Sequence, residues 1–190
     1  IENKGQWSDW IKYKAITPAG EVHLEHDGLR YMLADPENRN KVDSFHTGRI
    51  TKKPTMKFHV YKVTFEGANP EPELEGLKPQ KNYYNYFIGS DQSKWKSGIH
   101  PNLAINYNNL YKDITMYLSS NGQALEYEFY VKPNADAGQI KMKFDGPDDM
   151  RIKNGDLIIT TSVGQVMEMK PYAYQYINDE KVVVKCDYRL

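Results

Sequence analysis

The sequence predicts an all-β fold, an antiparallel two-sheet β-sandwich with about a dozen short strands and little helix. Two observations predict this fold. Short stretches of alternating apolar and polar residues recur along the chain, separated by turn residues at intervals of roughly 8 to 12 residues. Tyrosine, which has a high strand propensity, occurs 15 times among the 190 residues, against 6 Phe and 3 Trp.

The first three stretches predict an antiparallel meander. Ile11–Ile16 leads through a Pro-x-Gly turn into Glu21–His26, and the Asp27–Gly28 turn leads into Leu29–Leu33. Pro-x-Gly and Asp-Gly supply the backbone conformations that tight connections require. We therefore expect these strands to pair in sequence order.

Two segments interrupt the alternation. Residues 34–54 have few large apolar side chains and are rich in Asp, Asn, Lys and Arg, so we expect a long surface loop there. Residues 71–80 contain two prolines and one glycine and predict an extended connector. Between them, Met56–Phe65 is expected to form a long strand.

The second half of the chain continues as short strands. Residues 82–89 predict an aromatic strand, and a short helical turn is expected near residues 91–95. Further strands are expected at residues 103–107, 113–118, 125–132, 140–144, 150–152, 157–160, 166–169, 172–177 and 181–190. No internal repeat of fixed period indicates a propeller or a solenoid. We expect one β-sandwich domain over residues 1–190.

Composition restricts the classes of partner. The 25 Lys and Arg residues balance 25 Asp and Glu residues, and no basic stripe is visible, which argues against nucleic acid. The apolar runs, such as Val182–Val184, are far shorter than the roughly 20 residues of a transmembrane helix. A single cysteine, Cys186, excludes an intrachain disulfide, and we expect it to be a small buried hydrophobe.

No cluster of titratable residues in the sequence matches a specific catalytic or metal-binding motif. His23 and His26 lie close in sequence but point to opposite faces of a strand, and the segment 35–40 lacks the glycine and distal glutamate of a calcium loop. Glu126 and Glu128 share a strand face and could serve glycoside hydrolysis, although alternating charge on a wet face is commoner. We predict no metal, no cofactor and no catalytic residue, and a hydrolytic enzyme using such carboxylates stays the alternative.

The aromatic residues give the remaining functional signal. Tyr84 and Tyr86 share one face of the strand at residues 82–89, and Tyr83 lies on the other, with Trp95 following closely. Exposed aromatic platforms bind sugar rings or peptide surfaces, so these four residues are the candidate binding residues. The alternative is that they form a tyrosine-rich core. Trp7 and Trp10 are expected to staple the first strand to its sheet.

Several strings together resemble one family. The combination resembles the N-terminal β-rich domain of large bacterial surface proteins of the Bacteroidetes type. Those proteins carry SBBP β-propeller repeats, PKD or immunoglobulin-like modules and gliding-motility or type IX sorting domains. The strings that carry the resemblance are Glu2–Trp7, Val63–Pro70, Asn85–Trp95, Leu125–Phe129, Asn134–Asp136 with Gln139–Ile140, Phe144–Gly146 and Lys170–Gln175.

The resemblance implies a location and a context, and it supplies no site residues. It implies export after removal of a signal peptide close to Ile1, and a position ahead of further modules at the cell surface. The expected role is structural, adhesive or ligand-binding, with a glycan or a cell-envelope protein as partner. A third possibility is that the domain caps a following repeat array.

Overall fold

A computed structural model of the chain describes residues 1–122 and 124–190, apart from the side chain of Arg39. These residues form sixteen strands in five sheets, with every assigned strand pair antiparallel. The strands are β1 Tyr13–Thr17, β2 Gly20–Leu24, β3 Gly28–Ala34, β4 Phe58–Phe65, β5 Glu73–Pro79, β6 Tyr84–Tyr86, β7 Lys96–Ile99, β8 Asn102–Tyr111, β9 Ile114–Ser120, β10 Leu125–Val131, β11 Met142–Asp145, β12 Asp149–Lys153, β13 Asp156–Thr161, β14 Gly164–Glu168, β15 Ala173–Ile177 and β16 Glu180–Val184. The α-helix α1 spans Pro36–His46, and single 3-10 turns span Gln92–Lys94 and Ala137–Gln139. The predicted all-β class is confirmed.

The chain divides into two compact units. The first contains residues 1–33 and 60–145, and the second contains residues 34–59 and 146–190. The single domain over residues 1–190 stays a prediction.

The first unit is built on two larger sheets, with strand orders β1-β2-β3-β4-β11 and β10-β9-β8-β5. The predicted meander is confirmed, since β1 pairs with β2 and β2 pairs with β3. The Asp27–Gly28 turn needs its glycine, because a Cβ atom at Gly28 would lie 2.0 Å from the carbonyl oxygen of Val63.

Large side chains from both sheets form the core of this unit. The ring of Phe65 on β4 meets the ring of Tyr107 on β8 edge to face, with centroids 5.9 Å apart. The Tyr107 hydroxyl donates a 3.0 Å hydrogen bond to the carbonyl oxygen of Glu25, and the Tyr111 hydroxyl donates to that of Lys141 at 2.9 Å. Such buried hydroxyls satisfy backbone groups at the ends of strands.

The second unit contains α1, the sheet β12-β13-β14 and the hairpin β15-β16. Leu157, Ile159 and Thr161 on β13 are buried. His59 attaches to the β13–β14 turn, where Ser162 lies 2.9 Å from its Nδ1 atom. Among the described residues, each helix is too short or too polar to span a lipid bilayer.

The expected loop at residues 34–54 is wrong for its first half, because α1 occupies Pro36–His46. Asp35 accepts a hydrogen bond from the backbone N–H of Glu37, and Pro36 takes the first helical turn. Asn38 is 2 % exposed and donates a 2.7 Å hydrogen bond to the carbonyl oxygen of Lys57. The helix is therefore held by a cap and a buried amide rather than by an apolar stripe.

The expected connector at residues 71–80 is also wrong, because Glu73–Pro79 forms strand β5. This strand pairs with β8 alone and lies at the edge of its sheet. An edge strand tolerates proline because one of its sides makes no ladder hydrogen bonds.

The chain end departs from the predicted strand at residues 181–190. Strand β16 ends at Val184, and Cys186 is exposed. The expectation of a buried Cys186 is therefore wrong, because this residue follows the hairpin instead of alternating inside it.

Candidate functional site

The candidate binding residues lie on a small ribbon in the first unit, which we call the aromatic ribbon and define as residues 83–99. Its strands β6 and β7 pair antiparallel, with Tyr84 opposite Ile99 and Tyr86 opposite Lys96. The register shifts between Tyr84 and Tyr86. Because β6 is only three residues long, the connection between the two strands carries much of the ribbon's aromatic surface.

A short 3-10 turn orders this connection. The Asp91 carboxylate accepts hydrogen bonds from the backbone N–H of Ser93 at 3.1 Å and from its hydroxyl at 2.7 Å. These bonds to Ser93 hold the pKa of Asp91 below its usual value. The indole Nε1 of Trp95 donates a 3.1 Å hydrogen bond to the carbonyl oxygen of Gly89. Both ends of the connection are thereby fixed.

Most of the ribbon's large side chains face solvent. The exposed fractions are 60 % for Tyr83, 41 % for Tyr84, 61 % for Phe87, 59 % for Ile88 and 37 % for Trp95. Tyr83, Tyr84 and Trp95 are therefore not part of a core, whereas Tyr86 is half-buried.

Phe87 and Trp95 form one pair of rings on the ribbon. Their centroids lie 5.5 Å apart with an angle of 63° between the ring planes. Tyr83 takes no part in this pair and meets the His100 ring at 6.0 Å. His100 is itself held, because its Nδ1 atom lies 2.9 Å from the carbonyl oxygen of Gln80.

Tyr84 and Tyr86 form a second group with Trp7, a residue that no local sequence signal connects to this site. The two tyrosine rings stack with centroids 6.4 Å apart, and Trp7 meets Tyr86 edge to face at 5.1 Å. The Lys14 ammonium lies 4.6 Å from the centroid of the Trp7 ring, a cation–π contact. This contact joins Trp7 to β1.

The N-terminal loop that carries Trp7 is organised by one asparagine. Asn3 Oδ1 accepts from the backbone N–H groups of Gly5 at 3.0 Å and Trp7 at 3.2 Å. Asn3 Nδ2 donates to the carbonyl oxygens of Trp7, Ser8 and Ile11 at 3.3, 3.0 and 2.7 Å. The Asn-x-Gly spacing at residues 3–5 predicts a turn, whereas the contacts with Ser8 and Ile11 have no sequence signature.

A charged row lies next to the Trp7 group. The Glu21 carboxylate pairs with Lys14 at 2.9 Å and with His23 at 3.2 Å. Burial alone would raise the pKa of Glu21, but the hydrogen bonds from Lys14 and His23 outweigh it and hold that pKa below its usual value. Burial, together with the charges of Tyr84 and Glu21, raises the pKa of Tyr86.

The histidines considered for a metal site have separate partners. His23 contacts Glu21, and the Nδ1 atom of His26 lies 2.6 Å from the Glu71 carboxylate. Asp35, from the second candidate segment, caps α1. Within residues 1–122 and 124–190, no group of three or more His, Cys, Asp or Glu side chains is arranged to hold a metal ion.

The candidate catalytic carboxylates lie on an open strand face. Glu126 and Glu128 on β10 are both exposed, and Glu128 accepts a 2.7 Å hydrogen bond from the Tyr130 hydroxyl. Enzymes that use paired carboxylates give them different environments, so that one is an acid while the other is ionised. The shared exposure of Glu126 and Glu128 provides no such difference.

A serine–histidine contact that no sequence motif indicates lies in the second unit. His59 Nδ1 is 2.9 Å from the Ser162 hydroxyl and also accepts from the Ser162 backbone N–H at 3.1 Å. Its Nε2 atom lies 2.9 Å from the carbonyl oxygen of Gly146. The backbone thus occupies both ring nitrogens, so the arrangement clamps a turn instead of activating a nucleophile.

A shallow groove of about 430 Å³ lies beside the N-terminal loop in the first unit. Burial, followed by the charge of Glu2, raises the pKa of Tyr13 in its wall to about 12. None of the four predicted binding residues lines it. The lining residues are Glu2, Asn3, Gly5, Asp9, Ile11, Lys12, Tyr13, His26, Pro72, Glu73 and Leu74.

Comparison with known proteins gives a family without a function. No curated protein and no solved structure matches the chain. The match to a family model covers residues 1–190, the whole of the described fold and the aromatic ribbon. The chain belongs to the family of the domain of unknown function DUF7948.

Proposed function

We propose that the chain is a non-enzymatic binding module of the bacterial cell surface, and that its aromatic ribbon binds glycans. The single observation that carries the proposal is the Phe87–Trp95 pair, two rings in contact that are 61 % and 37 % exposed. The C–H faces of a pyranose ring are apolar and flat, so they match an exposed aromatic face. Protein partners are the other ligands that such a surface could take.

Fixed geometry favours binding at this pair. The Trp95 indole is tied to Gly89, and the Asp91–Ser93 hydrogen bonds order the turn between them. A ring that is already ordered loses little conformational entropy when a ligand stacks on it. The exposed rings are therefore suited to binding.

Polar groups at the turn supply hydrogen-bonding partners, which sugar binding requires in addition to a stacking surface. Lys94 lies 3.9 Å from the Asp91 carboxylate and is 69 % exposed, and the Lys96 ammonium donates to the Ser93 carbonyl oxygen at 3.1 Å. A carboxylate and ammonium groups can exchange hydrogen bonds with sugar hydroxyls next to a stacked ring.

The resemblance to modular Bacteroidetes-type surface proteins supports the location in this proposal. We infer that the domain is exported, loses a signal peptide and precedes further modules, and that the glycan belongs to the cell envelope or to its surroundings. Antibody labelling of intact, unpermeabilised cells tests the location, and labelling only after permeabilisation would contradict it.

A glycan array tests the binding directly. We expect the purified chain to bind a defined subset of glycans, and the Phe87→Ala/Trp95→Ala double variant to lose that binding. Phe58→Ala is the matched control, because Phe58 is a 51 % exposed phenylalanine outside the ribbon. An array without any signal, or equal signals from both variants, would refute the proposal.

A further inference from the structure

The β15–β16 hairpin in the second unit is exposed on both faces. Its strands pair from Ala173 opposite Val184 to Ile177 opposite Glu180. The two-residue turn between them has positive φ at Asn178 and Asp179, 51° and 65°, as a type I′ turn requires. Every residue of β16 is exposed, and β15 is exposed except at the half-buried Ala173.

One face of this hairpin is a row of tyrosines. Tyr172, Tyr174 and Tyr176 follow one another with ring centroids 5.7 and 5.8 Å apart, and their exposed fractions are 64 %, 47 % and 66 %. The Lys181 ammonium lies 3.8 Å from the centroid of the Tyr174 ring. These contacts support the hairpin, since an isolated two-stranded ribbon is at best marginally stable in water.

The backbone of β15 offers hydrogen-bonding groups at a free edge. In a hairpin with a two-residue turn, the pair flanking the turn exchanges hydrogen bonds, and the next pair along the strands does not. Ile177 is therefore a hydrogen-bonded residue of this hairpin, as is Gln175. The N–H and C=O groups of Tyr174 and Tyr176 point outward, to the side of β15 that has no partner strand among the described residues.

The two edges of the hairpin differ in charge. Charged side chains, lysine above all, protect an edge strand from pairing. Lys181 lies within β16 and Lys185 directly follows it, and a second β16 paired antiparallel about Val183 would place each lysine opposite the other. Residues 172–177 carry no charge. Pairing along β15 therefore places no charged residue opposite another, whereas pairing along β16 about Val183 places lysine opposite lysine.

The sequence of β15 is self-complementary about Gln175. An antiparallel two-fold pairing centred there places Tyr174 opposite Tyr176 of the partner subunit, and Ala173 opposite Ile177 of the partner subunit. A two-fold interface requires this property, because the same patch must match itself. The register also uses the outward backbone groups, since each Tyr174–Tyr176 pair can exchange two hydrogen bonds.

We propose that two copies of the chain associate along β15 and form a four-stranded antiparallel sheet with strand order β16-β15-β15-β16. The occupant of the free edge is a second copy, bound by four backbone hydrogen bonds and two cross-strand tyrosine pairs. This inference concerns the second unit alone and does not depend on glycan binding.

Sedimentation equilibrium of the purified chain between about 10 µM and 1 mM tests the association. We expect a monomer–dimer equilibrium that Gln175→Lys weakens at least tenfold, because two lysines then face each other across the two-fold axis. Val182→Lys is the matched control. Val182 is opposite Gln175 in the hairpin, so Val182→Lys places the same charge on the same face of the hairpin but at its other edge. We expect this variant to change the dimer dissociation constant less than threefold.

A monomer at every concentration would overturn the proposal, as would equal weakening by both variants or a dimer that Gln175→Lys leaves intact. Cross-linking gives an independent readout. In a Cys186→Ser background, Gln175→Cys should form a disulfide-linked dimer under mild oxidation, because non-hydrogen-bonded opposite residues bring their Cβ atoms closest. Val182→Cys should not, and equal cross-linking of both would contradict the register.

Discussion

The side-chain amide of Asn3 donates a 2.7 Å hydrogen bond to the carbonyl oxygen of Ile11, eight residues further along the chain. Ile11 is 6 % exposed and lies two residues before β1, so this bond closes the N-terminal loop onto a buried residue. Trp7 lies inside the closed loop and reaches Tyr86 of the aromatic ribbon. The hydrogen bonds of Asn3 therefore hold the loop in the conformation that places Trp7 against Tyr86 of the aromatic ribbon.

Replacing Asn3 by alanine should loosen the loop. The change removes five side-chain hydrogen bonds to backbone groups, so we expect the free energy of unfolding to fall by about 1–3 kcal/mol. Urea unfolding followed by tryptophan fluorescence measures it. Asn69→Ala is the control, because Asn69 accepts from the Glu71 N–H at 3.1 Å and makes only a long, 3.4 Å contact to Asn109. Equal losses in the two variants would contradict the role of Asn3.

Glu21 should give the protein an acid-dependent contribution to stability. Its pKa in the folded state lies below the usual 4.5, so its contribution is present above pH 4.5 and disappears as the pH falls through the folded pKa. At pH 7, Glu21→Gln should cost about 0.5–1 kcal/mol, a modest value because the side chain is 33 % exposed. Unfolding curves at pH 7 and pH 3 should show this cost shrinking. A cost that does not change with pH would exclude the ion pairs as its source.

Buried tyrosines should limit stability at alkaline pH. Burial raises the pKa of Tyr107 well above 10.0 and that of Tyr13 to about 12. Their neutral forms therefore stabilise the fold fully below pH 10.0, and this stabilisation is lost as the pH rises through the folded pKa values. Melting temperatures measured between about pH 8 and pH 11 should fall above pH 10.

Tyr107→Phe separates two roles of this tyrosine. At pH 8 we expect a loss of about 1–3 kcal/mol, because the carbonyl oxygen of Glu25 loses its buried donor. Above pH 10 the variant should lose stability less steeply than the unmodified chain, since one ionisable group is gone. Identical alkaline slopes would show that Tyr107 does not contribute to the alkaline loss.

Asn38 should hold α1 to the segment before β4. Asn38→Ala removes the 2.7 Å hydrogen bond to the carbonyl oxygen of Lys57 and leaves that oxygen with the 3.1 Å bond from the Asp35 N–H, so we expect amide hydrogen exchange across α1 to accelerate about 5-fold to 100-fold. Asn40→Ala is the control on the same helix, because Asn40 is exposed. Faster exchange in both variants would assign the effect to helix propensity instead of the buried amide.

The sequence predicts the strands well because period-two alternation and turn residues are local signals. Strand β10, with Glu126 and Glu128 on its exposed face, shows how alternation alone separates the two sides of a strand. The α1 helix escaped prediction because it has no apolar stripe and depends on the cap at Asp35 and on the buried Asn38. Strand β5 escaped prediction because its one proline, Pro79, is compatible with a strand mainly at a sheet edge, and edge position is a property of the tertiary fold.

The candidate site was predictable in composition and not in arrangement. The aromatic density at residues 83–95 is compatible with either a binding surface or a core, and only the fold decides whether such rings are buried or exposed. The tertiary contacts also separate Tyr83 from Trp95 and bring Trp7 to Tyr86, across 79 positions of sequence. Long-range contacts of this kind leave no pattern in a single sequence.

Isothermal titration of a glycan identified on the array tests the central claim most directly. Phe87→Ala should weaken the affinity at least tenfold, because the loss of one stacking ring typically costs about 1.4 kcal/mol or more. Phe58→Ala should leave the affinity unchanged within about twofold. Unchanged affinity in Phe87→Ala, or an equal loss in Phe58→Ala, would contradict glycan binding at the aromatic ribbon.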